Sequence, residues 1–311
     1  MKNTKRSMIA AALCAAVMLA GCSNDNKAQT TTANTAAVQN TDRPAATSEF
    51  MLTESDAAGN SGDVKLEKGD TYAVISIKDY GDIKIKLYPD LVPYAVYNFV
   101  ELAKKGTYNG RNFHRLVEDF MIQGGSANGT GGGGKSIDGG EFKNEVNTSL
   151  RHYYGALCYA ASAMGGISDG FYIVNNKKPQ PEFTSLYDQT SQYYTSGESQ
   201  LKAYLEELTP DMDYYEDAKA YYSNMIEYYS GCVKAITGMK DTITDDVKKT
   251  YSEKGGTPSL DGAYTVFGQT VEGFDVIDKI TAVEKTDDGF GNISKPVSDI
   301  IIDKVEIFTM E

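Results

Sequence analysis

The stretch Phe113-His114-Arg115-Leu116-Val117-Glu118-Asp119-Phe120-Met121-Ile122-Gln123-Gly124-Gly125 decides the fold of this 311-residue chain. Taken alone it is ambiguous. A single strand arginine is by default one half of a surface ion pair, and Phe and Met in a strand are ordinarily core. What the stretch means depends on the residues around it.

Upstream, Ile75 and Ile77, then Ile83, Ile85 and Leu87, alternate with polar residues such as Lys84 and Lys86 around Tyr80-Gly81-Asp82. This is the pattern of a hairpin with one buried face. Pro93 opens a helix that places Val96, Phe99, Val100 and Ala103 on one side, and Gly106 after Lys104-Lys105 ends it. Two strands followed by one helix, without repeating βα units, point away from a doubly wound sheet. Downstream, Gly129 and Gly134-Lys135-Ser136 satisfy the G-x-x-x-x-G-K-[ST] spacing of a phosphate-binding loop. That chemistry needs a helix starting at the lysine, with its N-terminus facing the phosphates. Ile137-Asp138-Gly139-Gly140 follows instead, and a run this rich in glycine meets the spacing easily by chance. No nucleotide is expected.

Between 178 and 255 the character changes. Half of the 22 tyrosines lie here, and residues 178–254 hold 8 basic against 14 acidic side chains. Thr209-Pro210 reads as an N-cap and first-turn proline. After it Tyr215, Ala218, Tyr222, Met225, Tyr229, Cys232 and Ile236 recur at spacings of three and four, an apolar seam on a helix stopping near Gly238. A shorter helix is expected from Asp245 to Lys254. The tyrosines either pack against neighbouring helices or form a face for a partner. Beyond them, Tyr264 to Gly268 reads as a strand, Asp275 to Ile280 as a short helix, and Ile300-Ile301-Ile302 with Val305 and Ile307 as a closing strand. Strands flank the helical segment on both sides, so one β-rich domain interrupted by a helical excursion is the simplest topology.

Composition removes several functions. The formal net charge is -13, whereas a nucleic-acid binder needs a basic face to displace counterions. The two histidines, His114 and His152, leave little material for histidine-rich metal sites or a Ser/His/Asp triad. Neither metal nor cofactor is expected.

The opening stretch resembles the central signature of the cyclophilin-type peptidyl-prolyl isomerases, in which Phe-His-Arg is followed, after a short spacer, by Phe-Met-x-Gln-Gly-Gly. The resemblance continues in family order. It runs through Asn128-Gly129-Thr130-Gly131, Gly140 to Glu145, Gly155 to Ala160 and Phe171-Tyr172-Ile173, and resumes beyond the helical segment at Leu260 to Gly268. It implies a mainly β fold, a closed antiparallel eight-stranded barrel with capping helices, plus an α-helical insertion. Rotation about a peptide bond costs ~18–20 kcal/mol because the bond is partly double. Its catalysis needs no nucleophile, only a dry apolar slot for the proline ring and a fixed donor that favours the twisted amide. Arg115, always charged and with several donors in a rigid fork, is the expected catalytic residue. By resemblance Phe120 and Met121 form the floor of the slot, and Tyr172, Leu260 and Tyr264 its walls. Ala160 also contacts substrate and Gln123 binds its backbone. His114 has no catalytic role. The chain departs from the family pattern at Ala160-Ala161, where Ala-Asn is frequent, and at Gly170, where a glutamine is usual. It also carries Ser259 and Tyr264 in place of Trp and His. The missing glutamine side chain implies weaker substrate affinity, and Ser259 implies weak cyclosporin binding. A cyclophilin-like binding or chaperone module with reduced catalysis is the alternative.

The N-terminus reads as an export signal: basic Met1 to Arg6, an apolar run from Met8 to Ala20, then Leu19-Ala20-Gly21-Cys22. It resembles a bacterial lipoprotein signal in which Cys22 is lipidated, and so implies an extracytoplasmic protein anchored to the membrane. Loss of Lys2, Lys5 and Arg6 with residues 1–21 would take the net charge from -13 to -16. Residues 22–68, poor in large apolar side chains, are expected to be a disordered stalk. Residues 69–177 and 256–311 would form the barrel and 178–255 the insertion. Cys158 and Cys232 are either buried free thiols or a single bridge. The expected partners are proline-containing segments of exported proteins.

Overall fold

The computed structural model describes residues 43–54, 59–61 and 63–311. The expected signal, the lipidation site Cys22 and the first part of the stalk lie outside them. The first half runs β1 (Met51–Thr53), β2 (Thr71–Ile77), β3 (Gly81–Leu87), α1 (Pro93–Lys104), β4 (Asn112–Val117), β5 (Met121–Gly124), β6 (Phe142–Lys143), β7 (Glu145–Asn147), β8 (Ala156–Ala161) and β9 (Gly166–Val174). Then come α2 (Phe183–Glu206), α3 (Tyr215–Asp241), α4 (Asp245–Lys254), a 3-10 turn (Pro258–Leu260), β10 (Val266–Glu272), α5 (Phe274–Thr281), β11 (Lys285–Asp287), β12 (Ile293–Pro296) and β13 (Ile300–Thr309).

Eight strands pair in the order β5-β4-β13-β2-β3-β10-β8-β9, and β9 returns to β5, so the sheet closes on itself. Every pairing around the ring is antiparallel. The expected eight-stranded antiparallel barrel is therefore present. Closure satisfies the backbone groups that two sheet edges would leave open. Inside, Ile75, Ile85, Phe99, Phe113, Ile122, Phe171, Ile173 and Phe267 are fully buried in one cluster. The hairpin alternates as expected: Ala73, Ile75, Ile77 and Ile83, Ile85, Leu87 point inward with intermediate or exposed residues between them. Helix α1 begins at Pro93 and its stop glycine, Gly106, sits at φ +70°. Val92 provides no side-chain cap. Glu145 does so from across the fold, accepting from the Ala95 N–H at 2.8 Å.

The insertion is an arm of two long helices. Asp188 pairs with Lys240, Tyr194 packs on Tyr229 and Tyr204 on Tyr222, so α2 and α3 run antiparallel. At 1.5 Å per residue each is roughly 36–40 Å long. Their near ends form a second core with α4, built from Phe183, Tyr187, Tyr194, Met225, Tyr228, Tyr229, Cys232, Ile236, Met239 and Tyr251. The seam expected on α3 is buried from Met225 to Ile236 but not at Tyr215, Ala218 or Tyr222, because there the arm extends beyond the body. The expected start at Thr209-Pro210 is also corrected. Residues 207–214 reverse the chain between α2 and α3, with turns closed by Met212 N–H to Thr209 O and Tyr215 N–H to Met212 O. Cys158 and Cys232 are both free and buried.

The described part of the expected stalk is not a free tether. β1 pairs in parallel with β7, and Phe50 lies over Gly231 of α3, where a Cβ would overlap its ring. Asn60 bonds both the N–H and the C=O of Arg151, at 2.8 and 2.6 Å. Backbone pairing, one buried asparagine and the few apolar side chains present, Phe50 and Leu52 on the second core, order the segment.

Asp261 is the deepest charge. Its Oδ1 accepts from His152 N–H and Nδ1 at 2.7 and 2.8 Å, and its Oδ2 accepts from Tyr187 at 2.5 Å and from Tyr251. Burial alone would raise this carboxyl, but the hydrogen bond and charge of His152, with Arg151 and Tyr187, hold it below its ordinary 3.8. A folded value below the unfolded one means stability that is full above about pH 4 and is lost as pH falls through the folded value. Asp261→Asn is expected to cost about 3–5 kcal/mol in denaturant titration at neutral pH, and to flatten the acid limb of the stability profile below about pH 4. An unchanged midpoint with an unchanged acid limb would remove the cluster from the account of stability.

Candidate active site

The closing pair of strands builds the site. Ile122 and Ile173 face each other across β5 and β9 and are buried in the core. By the two-residue period, their neighbours Met121, Gln123 and Tyr172 project from the outer face. Arg115 is paired opposite Gln123, Gln123 opposite Tyr172, and Tyr172 opposite Cys158. This makes one row across β4, β5, β9 and β8. The 118–120 turn, with Asp119 at φ +55°, brings Phe120 to the end of the row. The 3-10 turn delivers Leu260, and the segment after it delivers Tyr264.

Together Arg115, Phe120, Met121, Gln123, Ala160, Tyr172, Leu260 and Tyr264 line a cleft of about 270 Å³, part of it open to solvent. All eight residues singled out from the sequence meet in it. Met121 is 2 % exposed, and Gln123, Tyr172 and Leu260 are each 5 % exposed, so half of the lining is dry although it lies outside the barrel. Arg115 is the only charged residue of the eight. Burial draws its guanidinium below its ordinary value, while Asp288 and Tyr264 act in the opposite direction. An arginine so shifted still carries its charge at neutral pH. Its neighbour His114 is pushed down to about 4 by burial and by Arg115, and is therefore neutral there. Asp288 faces Arg115 from the loop between β11 and β12. Burial would raise its carboxyl, but hydrogen bonds from Ser294, Phe290 and Asn292 bring it down to about 2.

Around the cleft, Arg111 pairs with Asp169 at 2.5 Å, and Gly134 of the glycine-rich run lies so close to Asp169 that a Cβ would overlap the carboxylate. That run is a loop covering Asp169, with no helix after Lys135. At Gly170 a Cβ would meet nothing nearer than Ala160 Cβ at 3.8 Å. The place of the absent glutamine is open space beside the lining. Sequence reading missed Arg151, His152 and Asp261, which stand behind Tyr172 and Leu260. The acid partner of His152 is 109 residues away, and no local spacing could reveal it.

Comparison with known proteins gives the family. The family model described as "Cyclophilin type peptidyl-prolyl cis-trans isomerase/CLD" matches residues 72–193 and 244–307, leaving out the second half of α2 and all of α3. A Staphylococcus saprophyticus protein named "Putative peptidyl-prolyl cis-trans isomerase" is 32% identical over 240 residues, which is 77% of this chain and 93% of that one. A protein of the same name from Staphylococcus aureus strain USA300 is 32% identical over 235 residues, 75% of this chain and 90% of that one. Among solved structures, a Cryptosporidium parvum cyclophilin type peptidyl-prolyl cis-trans isomerase is similar over 78% of this chain and 99% of its own, with a TM-score of 0.48 and 22% identity. With the family model on both sides of the arm and relatives at this identity over three-quarters of its length, the chain belongs to the cyclophilin-type peptidyl-prolyl cis-trans isomerases.

Proposed function

We propose that this isomerase acts on X-Pro bonds of exported or surface proteins, with Arg115 as the catalytic residue and the apolar part of the cleft as the seat of the proline ring. The observation that supports it is the single cation, Arg115, in a cleft otherwise lined by Phe120, Met121, Leu260 and other uncharged side chains. Rotation about the C–N bond breaks amide conjugation and returns the lone pair to the proline nitrogen, which becomes a better hydrogen-bond acceptor. A guanidinium held at that nitrogen binds the twisted amide more tightly than either planar form, which is what lowers a barrier. Burial of Met121, Gln123, Tyr172 and Leu260 excludes competing water and strengthens that contact. Gln123, at the middle of the row, would hold the substrate backbone. No bond is made to the protein and no cofactor enters.

Gly170 favours a second reading, a peptide-binding module with little catalysis, because the side chain the family usually has there is replaced by open space. One assay separates the two. Isomerisation of an Ala-Pro peptide, followed by proteolysis of the trans form, is expected to show Arg115→Ala lowering kcat/KM about 10²–10³-fold, as does loss of one transition-state donor elsewhere, with the thermal midpoint unchanged. Wild type and Arg115→Ala both running at the rate of the uncatalysed blank would leave only the binding reading, whereas equal rates well above the blank would remove Arg115 as the catalytic residue.

The route to such substrates rests on Met1 to Cys22. A lipid-anchored protein would stay with the membrane through acyl chains, each buried CH₂ contributing ~0.8 kcal/mol. Expressed in a bacterium fed radiolabelled palmitate, the full chain is expected to take up label and to sediment with membranes, and Cys22→Ala to lose both properties. Equal labelling and equal sedimentation of the variant would exclude this anchor.

A further inference from the structure

Tyr172 lines the cleft, and its hydroxyl lies 3.0 Å from Nε2 of His152, a wholly buried residue that is not part of the lining. The two rings lie nearly parallel, 15° apart with centroids at 6.1 Å. His152 is wholly buried, and its Nδ1 is 2.8 Å from Asp261 Oδ1, which also accepts the His152 backbone N–H at 2.7 Å. A carboxylate can only accept, so Nδ1 donates. Nε2 and the Tyr172 hydroxyl then share one hydrogen bond at 3.0 Å, whichever of the two atoms carries the proton. The other oxygen of Asp261 is taken by Tyr187 of α2, at 2.5 Å, and by Tyr251 of α4. Arg151 Nη1 donates to the Tyr187 hydroxyl at 2.7 Å, and Nη2 to Met239 O and Thr242 Oγ1 at 3.0 and 2.9 Å, at the end of α3. The thiol of Cys158, on the neighbouring strand, also lies against the Tyr172 hydroxyl.

The chain of contacts therefore begins in the insertion and ends on a wall of the cleft. Tyr172, His152, Asp261, Tyr187, Tyr251 and Arg151 are all buried, and each has a hydrogen-bond partner among the others. Asp261 also directly follows Leu260, a second wall residue, in the chain.

We propose that the helical insertion is a positioning device for the proline slot, acting through Tyr187 and Tyr251 on Asp261, through Asp261 on His152, and through His152 on the Tyr172 ring. These four are positioning residues, not catalytic ones. They set how tightly the slot grips its substrate and leave the Arg115 step alone. This rests on reading the cleft as the proline slot. A purely structural role, in which the cluster only docks the insertion, leaves substrate affinity untouched, and here the two views separate.

The test is a double-mutant cycle on the full chain with Tyr187→Phe and Tyr172→Phe, each of which removes one oxygen and nothing else. Its readouts are the Kd of an Ala-Pro peptide by calorimetry and the split between KM and kcat. Each single variant is expected to raise Kd and KM about three- to tenfold, the scale of one hydrogen bond, with kcat within about twofold of wild type. The double variant is expected to be no weaker than Tyr172→Phe alone, because a relay already cut at its end transmits nothing further. Tyr251→Phe is the second remote variant and should repeat the pattern if Tyr187→Phe fails to fold. A folded remote variant with wild-type Kd, whatever its thermal midpoint, would overturn the proposal. So would full multiplication of the two losses in the double variant. If wild type turned over no peptide, the isomerase reading would fall while the Kd cycle still decided the relay.

Discussion

Pairing of Met121–Gly124 with Phe171–Val174 is the contact on which the rest of the molecule depends. Without it the eight strands form an open sheet whose two edges expose unpaired backbone groups, a costly and aggregation-prone arrangement. With it the edges vanish, and the closing register aligns Arg115, Gln123 and Tyr172 in one row on the outer face. A slip of a single residue would turn that row into the core and drive Ile122 and Ile173 into solvent. The burial of those two isoleucines is thus also what orients the site.

A row on the outside of a barrel is ordinarily wet. Here the return of the chain after the insertion dries it. The 3-10 turn sets Leu260 against the row, and Tyr264, in contact with both hydrophobic cores, completes the wall. That return is fixed by Asp261. A lone buried carboxylate would be strongly unfavourable, and each of its neighbours answers this cost: two donors from His152, two tyrosine hydroxyls, and Arg151 alongside. Tyr172 and Leu260 are anchored by the same group, so stability of the insertion's base and shape of the cleft are linked.

Most of the barrel and all eight lining residues could be read in the sequence, because the evidence for them is local: alternation from Ala73 to Leu87, and ordered motifs around Arg115 and Leu260. What could not be read depends on contacts between distant segments. Helix α2 buries only Phe183, Tyr187 and Tyr194, too few for a visible seam. Its Gly197, which looks like a helix breaker, is where Tyr229 of α3 presses close enough that a Cβ would overlap its ring. Thr209-Pro210 has the chemistry of a helix start but lies in the reversal that α2 requires. Residues 43–54 and 59–61 look like tether because what holds them, Asn60, the β1–β7 pairing and the isolated Phe50 and Leu52, leaves no periodic apolar pattern. Glu145 as the cap of α1 and Asp261 as the partner of His152 join residues roughly 50 and 110 positions apart, beyond the reach of any spacing rule.

The central claim is that one half-buried guanidinium beside a dry apolar slot meets the nitrogen of a proline held there. The most direct measurement is a crystal structure of the protein with a bound Ala-Pro peptide. The account predicts the proline ring against Phe120, Met121 and Leu260, Gln123 on the peptide backbone, and an Arg115 nitrogen within reach of the prolyl nitrogen, about 2.6–3.2 Å at closest approach. A proline seated elsewhere, or an Arg115 side chain that leaves the cleft when the peptide binds, would contradict it.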